Sequence, residues 1–303
     1  MDAFYSHGKL LLTGEYLVLD GALALAVPCK LGQSLTVRSI SEKIIEWKST
    51  TPDNKSWYDF NIHFEDLSAV APLDQTKDDY HLLSAFRHIY MLKPELFKSH
   101  GFQMLSHLEF PKDWGLGSSS TLINNLAQWA QVNPFDLNDM VFGGSGYDIA
   151  CASAQGPVFY RRTNSEITIL PVPFLPTFHD QIWFVHLNKK QNSREAISRY
   201  KLKKPIALSK IEAVDEIAHQ LSSCQSIEDF CLLMDRHESL ISSILEIPKI
   251  SETMFPDFSG AIKSLGGWGG DYILATGSKA EIHNYFKPKG FRTIKAYQDL
   301  IKI

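Results

Sequence analysis

Short apolar runs broken by turn-forming residues open the chain. Residues 9–12 (KLLL) and 16–19 (YLVL) predict two buried strands, with Thr13, Gly14 and Glu15 at the bend between them. ALALAVP at 22–28 and SLTVRSI at 34–40 continue the β-rich opening, and IIEW at 44–47 adds a further strand. TPDNKSWYD at 51–59 is dense in turn formers and predicts a hairpin tip or surface loop. From Tyr80 to Tyr90 the apolar positions Leu82, Leu83, Phe86, Ile89 and Tyr90 recur at helical spacing. FQMLSHLEF at 102–110 alternates as a strand does and leads into the loop PKDWGLG. A helix follows, with Leu122, Leu126, Trp129 and Ala130 on one face, Ser118, Ser119 and Ser120 as caps, and an end near Asn133 and Pro134.

Beyond it, a short segment FDLNDMVF precedes GGSGYDIACASAQ and the strand-like PVFYRR. The proline-rich stretch at 171–178 is the expected boundary between two domains, residues 1–172 and 173–303. A strand IWFVHL, a helix starting near Ser193 and a long helical region from Ile206 to about Leu245 come next, and a glycine cluster at 266–270 introduces the strand YILAT. Strands and helices interleave without a regular strand–crossover alternation, which predicts α+β or α/β and lowers the odds of a doubly wound parallel sheet.

Size and charge narrow the function. A chain of 303 residues buries a substantial core, and 44% hydrophobic with 21% charged residues is ordinary for a globular protein. A net charge of −4 argues against a nucleic-acid coat or an anionic-membrane binder, both of which need a basic field. Glu15 and Asp20 interrupt the apolar N-terminal run, so neither a secretory leader nor a spanning helix is expected, and the cytoplasm is the expected compartment. Cys29, Cys151, Cys224 and Cys231 lack the spacing of a zinc site or a disulfide framework. The eleven histidines show no HExxH pattern.

Four segments carry candidate chemistry. In PKDWGLGSSST at 111–121, Gly115 and Gly117 let backbone approach a bulky anion, and the serines stand where a helix begins, at the positive end of its dipole. It is neither a Walker A loop nor a GxGxxG turn, and alone it fits a serine-capped glycine loop equally well. In GGSGYDIA at 143–150, Asp148 sits in a tight turn, suited to orient or deprotonate an attacking hydroxyl; a loop-capping aspartate looks the same. IKSLGGWGGDY at 262–272 permits close backbone approach to a ligand, or is a plain turn. Lys9, entering a buried strand, could place charge near a phosphate, or be an ordinary solvated lysine.

In their joint order these segments resemble the GHMP kinases, the family of galactokinase, homoserine kinase, mevalonate kinase and phosphomevalonate kinase. GKLLLTGEYLVLDGALALAVP is similar to the family's first motif, PKDWGLGSSST to its P-x-x-x-G-L-G-S-S phosphate motif, and SLGGWGGDYILA to a degenerate third motif, with Trp268 where a small residue is usual. The resemblance implies a ribosomal-protein-S5-domain-2-like N-terminal domain, a ferredoxin-like C-terminal domain, ATP and Mg²⁺. It implies Asp148 as catalytic base, Lys9 as its charge partner, and Gly115, Leu116, Gly117, Ser118, Ser119 and Ser120 as the nucleotide phosphate loop. It places Gly266, Gly267, Gly269 and Gly270 in the closing loop.

GSGYDIACASAQGPVFYRR and KKQNSREAI resemble the phosphomevalonate kinase branch. Arg161, Arg162, Lys190 and Arg194 suit a phosphorylated or carboxylate-bearing alcohol, because guanidinium pairs bidentately with both groups. Adjacent Arg161 and Arg162 point to opposite faces of a strand, so at most one of them is expected to touch substrate. Glu15, Ser145, Ser193, Gly267 and Gly269 complete the substrate-side candidates. The 27 residues between Ser120 and Asp148 leave Asp136 and Asp139 as available carboxylates; Ser119 and Asp139 are the metal candidates. Phosphomevalonate is the leading substrate, mevalonate the close alternative, a decarboxylating relative more distant, and a silent ligand-binding sensor the reading of a different class.

Overall fold

The computed structural model describes residues 1–69, 73, 74, 76, 77, 79–189, 197, 198, 200–203, 205–268 and 270–303. The chain forms two compact units, each drawn from several stretches of sequence. The first comprises Met1–Gly8, Leu31–Lys112 and Gly117–Ser153, and the second Lys9–Lys30, Asp113–Leu116 and Ala154–Ile303.

In the first unit, β2 (Ala24–Ile40, from Leu31 onward), β3 (Ile44–Thr50), β4 (Ser56–His63) and β5 (Gly101–Leu108) form sheet order β4-β3-β5-β2. β3 runs antiparallel to β4 and parallel to β5, whose residues Gly101 to Leu108 pair antiparallel with Ile40 to Gln33 of β2. Helices α1 (Phe64–Ser68), α2 (Tyr80–Leu92), α3 (Ser118–Ala130), α4 (Pro134–Val141) and α5 (Tyr147–Ser153) complete it. Its core joins Trp47, Phe86, Phe97, Phe102, Met104 and Trp129, with Phe102 edge-on to Trp129 at 4.9 Å between ring centres. Burying each such ring contributes on the order of 2–3 kcal/mol before entropy is counted.

The second unit contains β6 (Val158–Arg162) paired antiparallel with residues 24–26 of β2 and with β7 (Ile167–Pro171). It also holds the antiparallel sheet β11-β8-β10-β9, built from β8 (Ile182–His186), β9 (Ile262–Leu265), β10 (Tyr272–Thr276) and β11 (Ile294–Ala296). Helices α6 (Leu208–Ser222), α7 (Ile227–Leu245), α8 (Ile250–Thr253), α9 (Lys279–Phe286) and α10 (Tyr297–Leu300) belong to it. The class is α+β. No helix among the described residues is long and apolar enough to cross a membrane.

The structure departs from the apolar pattern in instructive places. Residues 16–19 form no strand: Leu17–Asp20 is a single 3₁₀ turn, because Gly14 (φ 91°), Tyr16 (φ 63°) and Gly21 (φ 87°) turn the chain back on itself. The strand before the bend, β1 (Asp2–Leu11), begins well ahead of the apolar run and pairs with β2. β2 is one strand of 17 residues, not two. The tip of the β3–β4 hairpin is confined to residues 51–55, with Asn54 left-handed at φ 60°, and Ser56 onward is strand.

Helix α3 is also more deeply set than a one-sided stripe predicts. Thr121, Asn124 and Asn125 are buried beside its apolar residues. They are satisfied across the unit: Thr121 Oγ1 donates to Gln33 Oε1 at 2.5 Å, Asn125 Nδ2 to the Gln33 carbonyl at 2.9 Å, and Asn124 Nδ2 to Ser6 Oγ at 2.9 Å. The long helical region from Ile206 divides in two, α7 starting at an N-cap where Ser226 Oγ accepts from the Asp229 N–H at 3.1 Å.

The bend after β1 tolerates only glycine at position 14. A Cβ there would lie 2.9 Å from Ala24 Cβ, at a φ of 91° that L side chains rarely adopt. Gly14→Ala is expected to destabilise the fold by about 2–4 kcal/mol, read as a lower thermal midpoint; an unchanged midpoint would contradict the packing described for this bend.

Candidate active site

Within the first unit, three helices that pack on one another carry several of the sequence-predicted residues. The chain enters α3 through Gly117 in the left-handed region (φ 93°), and no side chain among the described residues caps the helix. Its 13 residues therefore begin with amides free of side-chain caps, at the positive end of an aligned set of peptide dipoles. The three serines divide by role. Ser120 is buried, and its hydroxyl donates to the Gly117 carbonyl at 2.9 Å, holding the turn. Ser118 is half-buried and Ser119 exposed, so their hydroxyls stand at the open edge of the first turn.

The second group follows α4. Asn138 fixes the chain there: its side-chain amide donates to the Gly143 carbonyl at 2.9 Å, and its own carbonyl accepts the Gly143 N–H at 2.8 Å. Gly143, Gly144 and Gly146 then take φ of 69°, 97° and 85°, a path that non-glycine residues follow only under strain. This delivers half-buried Asp148 to the first turn of α5, where the helix dipole favours its negative charge, and its Oδ1 accepts the Ile149 N–H at 3.1 Å. Ser145 is half-buried in the same turn, and Asp139 is exposed on α4.

Within the second unit, the end of β1 holds the first half of the glycine loop. Lys9 N–H donates to the Leu116 carbonyl at 2.9 Å and Lys9 Nζ to the Gly115 carbonyl at 3.1 Å. Gly115 takes φ 69°, which L side chains rarely adopt, and a Cβ there would fall 2.5 Å from Asp271 Cγ and displace that carboxylate. Asp271, itself left-handed at φ 53°, is buried at the end of the glycine-rich segment that starts at Gly266. Its backbone is tied on both sides, N–H to the Lys189 carbonyl and carbonyl to the Leu187 N–H, each at 2.8 Å. The sequence pattern gave no signal that this carboxylate packs on the Gly115 turn.

Glu15, a substrate-side candidate, is 3% exposed, and its Oε1 accepts from Lys263 Nζ, an ammonium with no exposure on β9. Lys263 also donates to the Ser264 carbonyl at 2.8 Å, and Glu238 Oε1 lies 3.9 Å away. His237, fully buried beside it on α7, accepts the Gly14 N–H on Nε2 at 3.0 Å, so its ring proton sits on Nδ1. Burial, with Lys263 adding to it, pushes His237 well below the ordinary histidine range. Its 3.3 Å contact with Glu15 Oε2 is therefore not an ion pair. Burial raises Glu15 above the usual carboxylate range, and the Lys263 charge partly opposes that rise. His237 and Glu238 lie outside every segment singled out from sequence, and Lys263, though inside the segment 262–272, carries no mark there of being the core's cation.

The remaining candidates are placed as follows. Arg161 pairs with Asp215 of α6, whose other oxygen accepts the Leu23 N–H at 2.6 Å, and Arg162 is half-buried next to it. Gly267 is buried, and its carbonyl accepts the Gly270 N–H at 3.2 Å. Trp268 is buried against Tyr16, Tyr200, Val214 and Ile241, and its backbone N–H donates to Tyr16 Oη at 2.9 Å. Lys190, Ser193, Arg194 and Gly269 lie outside the described residues.

The same fold occurs in solved kinase structures over nearly the whole chain. The chain resembles Methanococcus jannaschii mevalonate kinase at TM-score 0.71 and 16% identity, covering 100% of this chain and 98% of that one. Streptococcus pneumoniae phosphomevalonate kinase, solved with phosphomevalonate and AMPPNP, aligns at TM-score 0.70 and 17% identity over 98% of this chain and all of that one. Lactococcus lactis galactokinase, solved with galactose, aligns at 0.67 and 15% over 100% and 95% of the two chains. The expected two-domain α+β fold is thus the observed one. No family model matches the sequence, and no curated protein does.

The buried acid Glu238 makes stability depend on pH. Burial, with the Glu15 charge adding to it and Lys263 opposing it, pushes Glu238 up from 4.5 to about 7. The folded chain keeps a proton that the unfolded chain has released. The associated stabilisation is full below about 4.5 and lost as the pH rises through about 7, on the order of 3 kcal/mol. Glu238→Gln is expected to remove that dependence, so urea-unfolding free energies at pH 5 and pH 8.5 should converge for the variant but not for the wild type. Parallel pH profiles would contradict a protonated Glu238.

Proposed function

We propose that the chain is an ATP-dependent small-molecule phosphotransferase of the GHMP kinase family, with phosphomevalonate as substrate. The observation that carries this reading is the phosphate motif itself: PKDWGLGSSST matches every defining position, and its second glycine enters a 13-residue helix that no side chain among the described residues caps. The whole-length likeness in fold to mevalonate, phosphomevalonate and galactose kinases supports it.

In this reading, Gly115, Leu116 and Gly117 and the first-turn amides of α3 hold the nucleotide phosphates, and Ser118 and Ser119 add hydroxyl donors. Asp148 orients the substrate hydroxyl and takes its proton as that oxygen bonds to the γ-phosphorus; the bond from the γ-phosphorus to the bridging oxygen breaks and ADP leaves with the electron pair. Lys9 supplies positive charge against the charge that develops on the transferred group.

The donor chemistry fits Mg²⁺. No group of three or more His, Cys, Asp or Glu side chains suited to a metal occurs among the described residues, but Mg²⁺ bound with a nucleotide needs one or two hard oxygen donors and takes the rest from phosphate and water. Ser119 Oγ and the Asp139 carboxylate, both exposed in the first unit, are the groups that would hold it. The ion would neutralise phosphate charge.

The substrate assignment rests on GSGYDIACASAQGPVFYRR and on the cations that follow it. Arg161 pairs with Asp215, and Arg161, Arg162, Lys190 and Arg194 are the cations that would meet the substrate anion. Mevalonate, lacking the phosphate, is the close alternative.

Purified protein with ATP and Mg²⁺ is expected to release ADP faster with phosphomevalonate than with mevalonate, homoserine or galactose. Asp148→Asn is expected to lower kcat by about 10³-fold or more with the fold intact. ADP release at background for all four compounds would remove the enzyme reading and leave the sensor; a near-wild-type Asp148→Asn would remove Asp148 from the chemistry.

A further inference from the structure

Three consecutive residues of the bend after β1 are each held from a different direction, within the second unit. Gly14 N–H is taken by His237 on α7, Glu15 by Lys263 on β9, and Tyr16 Oη by the Trp268 N–H of the glycine-rich segment. Tyr16 is kept at φ 63°, ψ −47°, a conformation that a tyrosine occupies only when its surroundings over-determine it. Lys9, which grips the Gly115 turn, is six residues before Glu15 on the same stretch of chain. The Glu15–Lys263 contact therefore ties the bend to the strand that leads into the glycine-rich segment.

Glu238 has no place in this lock by sequence, yet it faces it. The ionisable groups packed around Lys263 are Glu15 from the bend, His237 and Glu238 from α7, and no exposed charge among the four. Five buried polar atoms here make no close hydrogen bond among the described residues: Glu15 Oε2, both Glu238 oxygens, His237 Nδ1 and Ser264 Oγ, although Ser264 stands near enough to Glu238 to oppose the rise that burial imposes on it. Such a set is costly, and well-packed apolar side chains of similar volume would serve stability at least as well. Rules of packing broken in this way are expected where function demands it.

We propose that Glu238 is a positioning residue for the phosphotransfer: 3.9 Å from Lys263 Nζ, it competes with Glu15 for that ammonium and so sets how firmly the bend and the Trp268 segment are held. When Glu238 is neutral, Lys263 belongs to Glu15 and the lock is closed. When Glu238 ionises, one ammonium is divided between two buried carboxylates, and the hold on Glu15 loosens. Glu238 touches neither nucleotide nor substrate in this scheme; it acts through Lys263. The inference rests on the kinase reading for its effect on rate, but the lock itself does not.

Two readouts keep these apart. In the first, kcat and KM are followed from pH 5.5 to 9 for wild type and Glu238→Gln. The wild type is expected to lose kcat by roughly tenfold through the neutral range, with little change in KM for ATP; Glu238→Gln is expected to hold its acidic-side kcat across that range, and Glu238→Asp to restore a pH-dependent loss. In the second, which needs no activity, the tryptophan emission of wild type minus that of Trp268→Phe is titrated. A transition near neutral pH is expected, and expected to vanish in Glu238→Gln. Absence of phosphotransfer in the wild type removes the kinase reading while the emission titration still decides the lock. If Glu238→Gln folds and keeps both wild-type profiles, the proposal is overturned. If it does not fold, Lys263→Arg serves instead: a shifted emission midpoint supports the lock and an unmoved one overturns it.

Discussion

A lysine ammonium with no solvent exposure, closed against a glutamate in the core of the second unit, is the contact on which the candidate chemistry there depends. Glu15 belongs to the bend that ends β1, and Lys263 to β9, which leads into the glycine-rich segment. Joined, they hold two distant stretches of sequence in one fixed relation, and Tyr16 and His237 repeat the tie on either side. Stability does not require an ion pair in this place, since desolvation offsets much of its Coulomb energy. What it supplies is specificity of arrangement: the bend cannot slip without stranding a buried charge. The Lys9 contact with the Gly115 turn, and the close approach of Asp271 to that glycine, are built on this frame.

In the first unit the backbone N–H groups that open α3 are set up differently. Glycine in the left-handed region replaces the side-chain cap that most helices use, and Ser120 turns inward to stabilise the turn it leaves behind. Buried asparagines on α3 fasten the helix to Ser6 and Gln33 through hydrogen bonds, so its N-terminus is held by directional contacts and not by apolar packing alone. The turn that delivers Asp148 is fixed likewise, by Asn138 on the Gly143 backbone.

Much of this was legible in the chain, for reasons that differ by element. Local signals sufficed for α2, β5, β10 and the start of α3, where periodicity, glycine and serine act over a few residues. They failed at residues 16–19, where apolar residues in a strand-like run fold into a 3₁₀ turn because positive φ at Gly14, Tyr16 and Gly21 reverses the chain. The glycine–serine turn and Asp148 could be singled out because their motifs are contiguous. Lys263, His237, Glu238 and Asp271 could not: each acquires its role from partners up to 248 positions away in the chain, as Lys263 does from Glu15. A lysine on a four-residue strand reads as solvated until the fold shows it enclosed.

Whether the turn entering α3 holds nucleotide phosphates is decided by calorimetric titration of AMPPNP with Mg²⁺ into the wild type and into Gly117→Val. The account predicts saturable binding at one nucleotide per chain in the wild type and its loss in a variant that remains folded by circular dichroism. A wild type that binds no nucleotide, or a folded Gly117→Val that binds it equally well, would contradict the account.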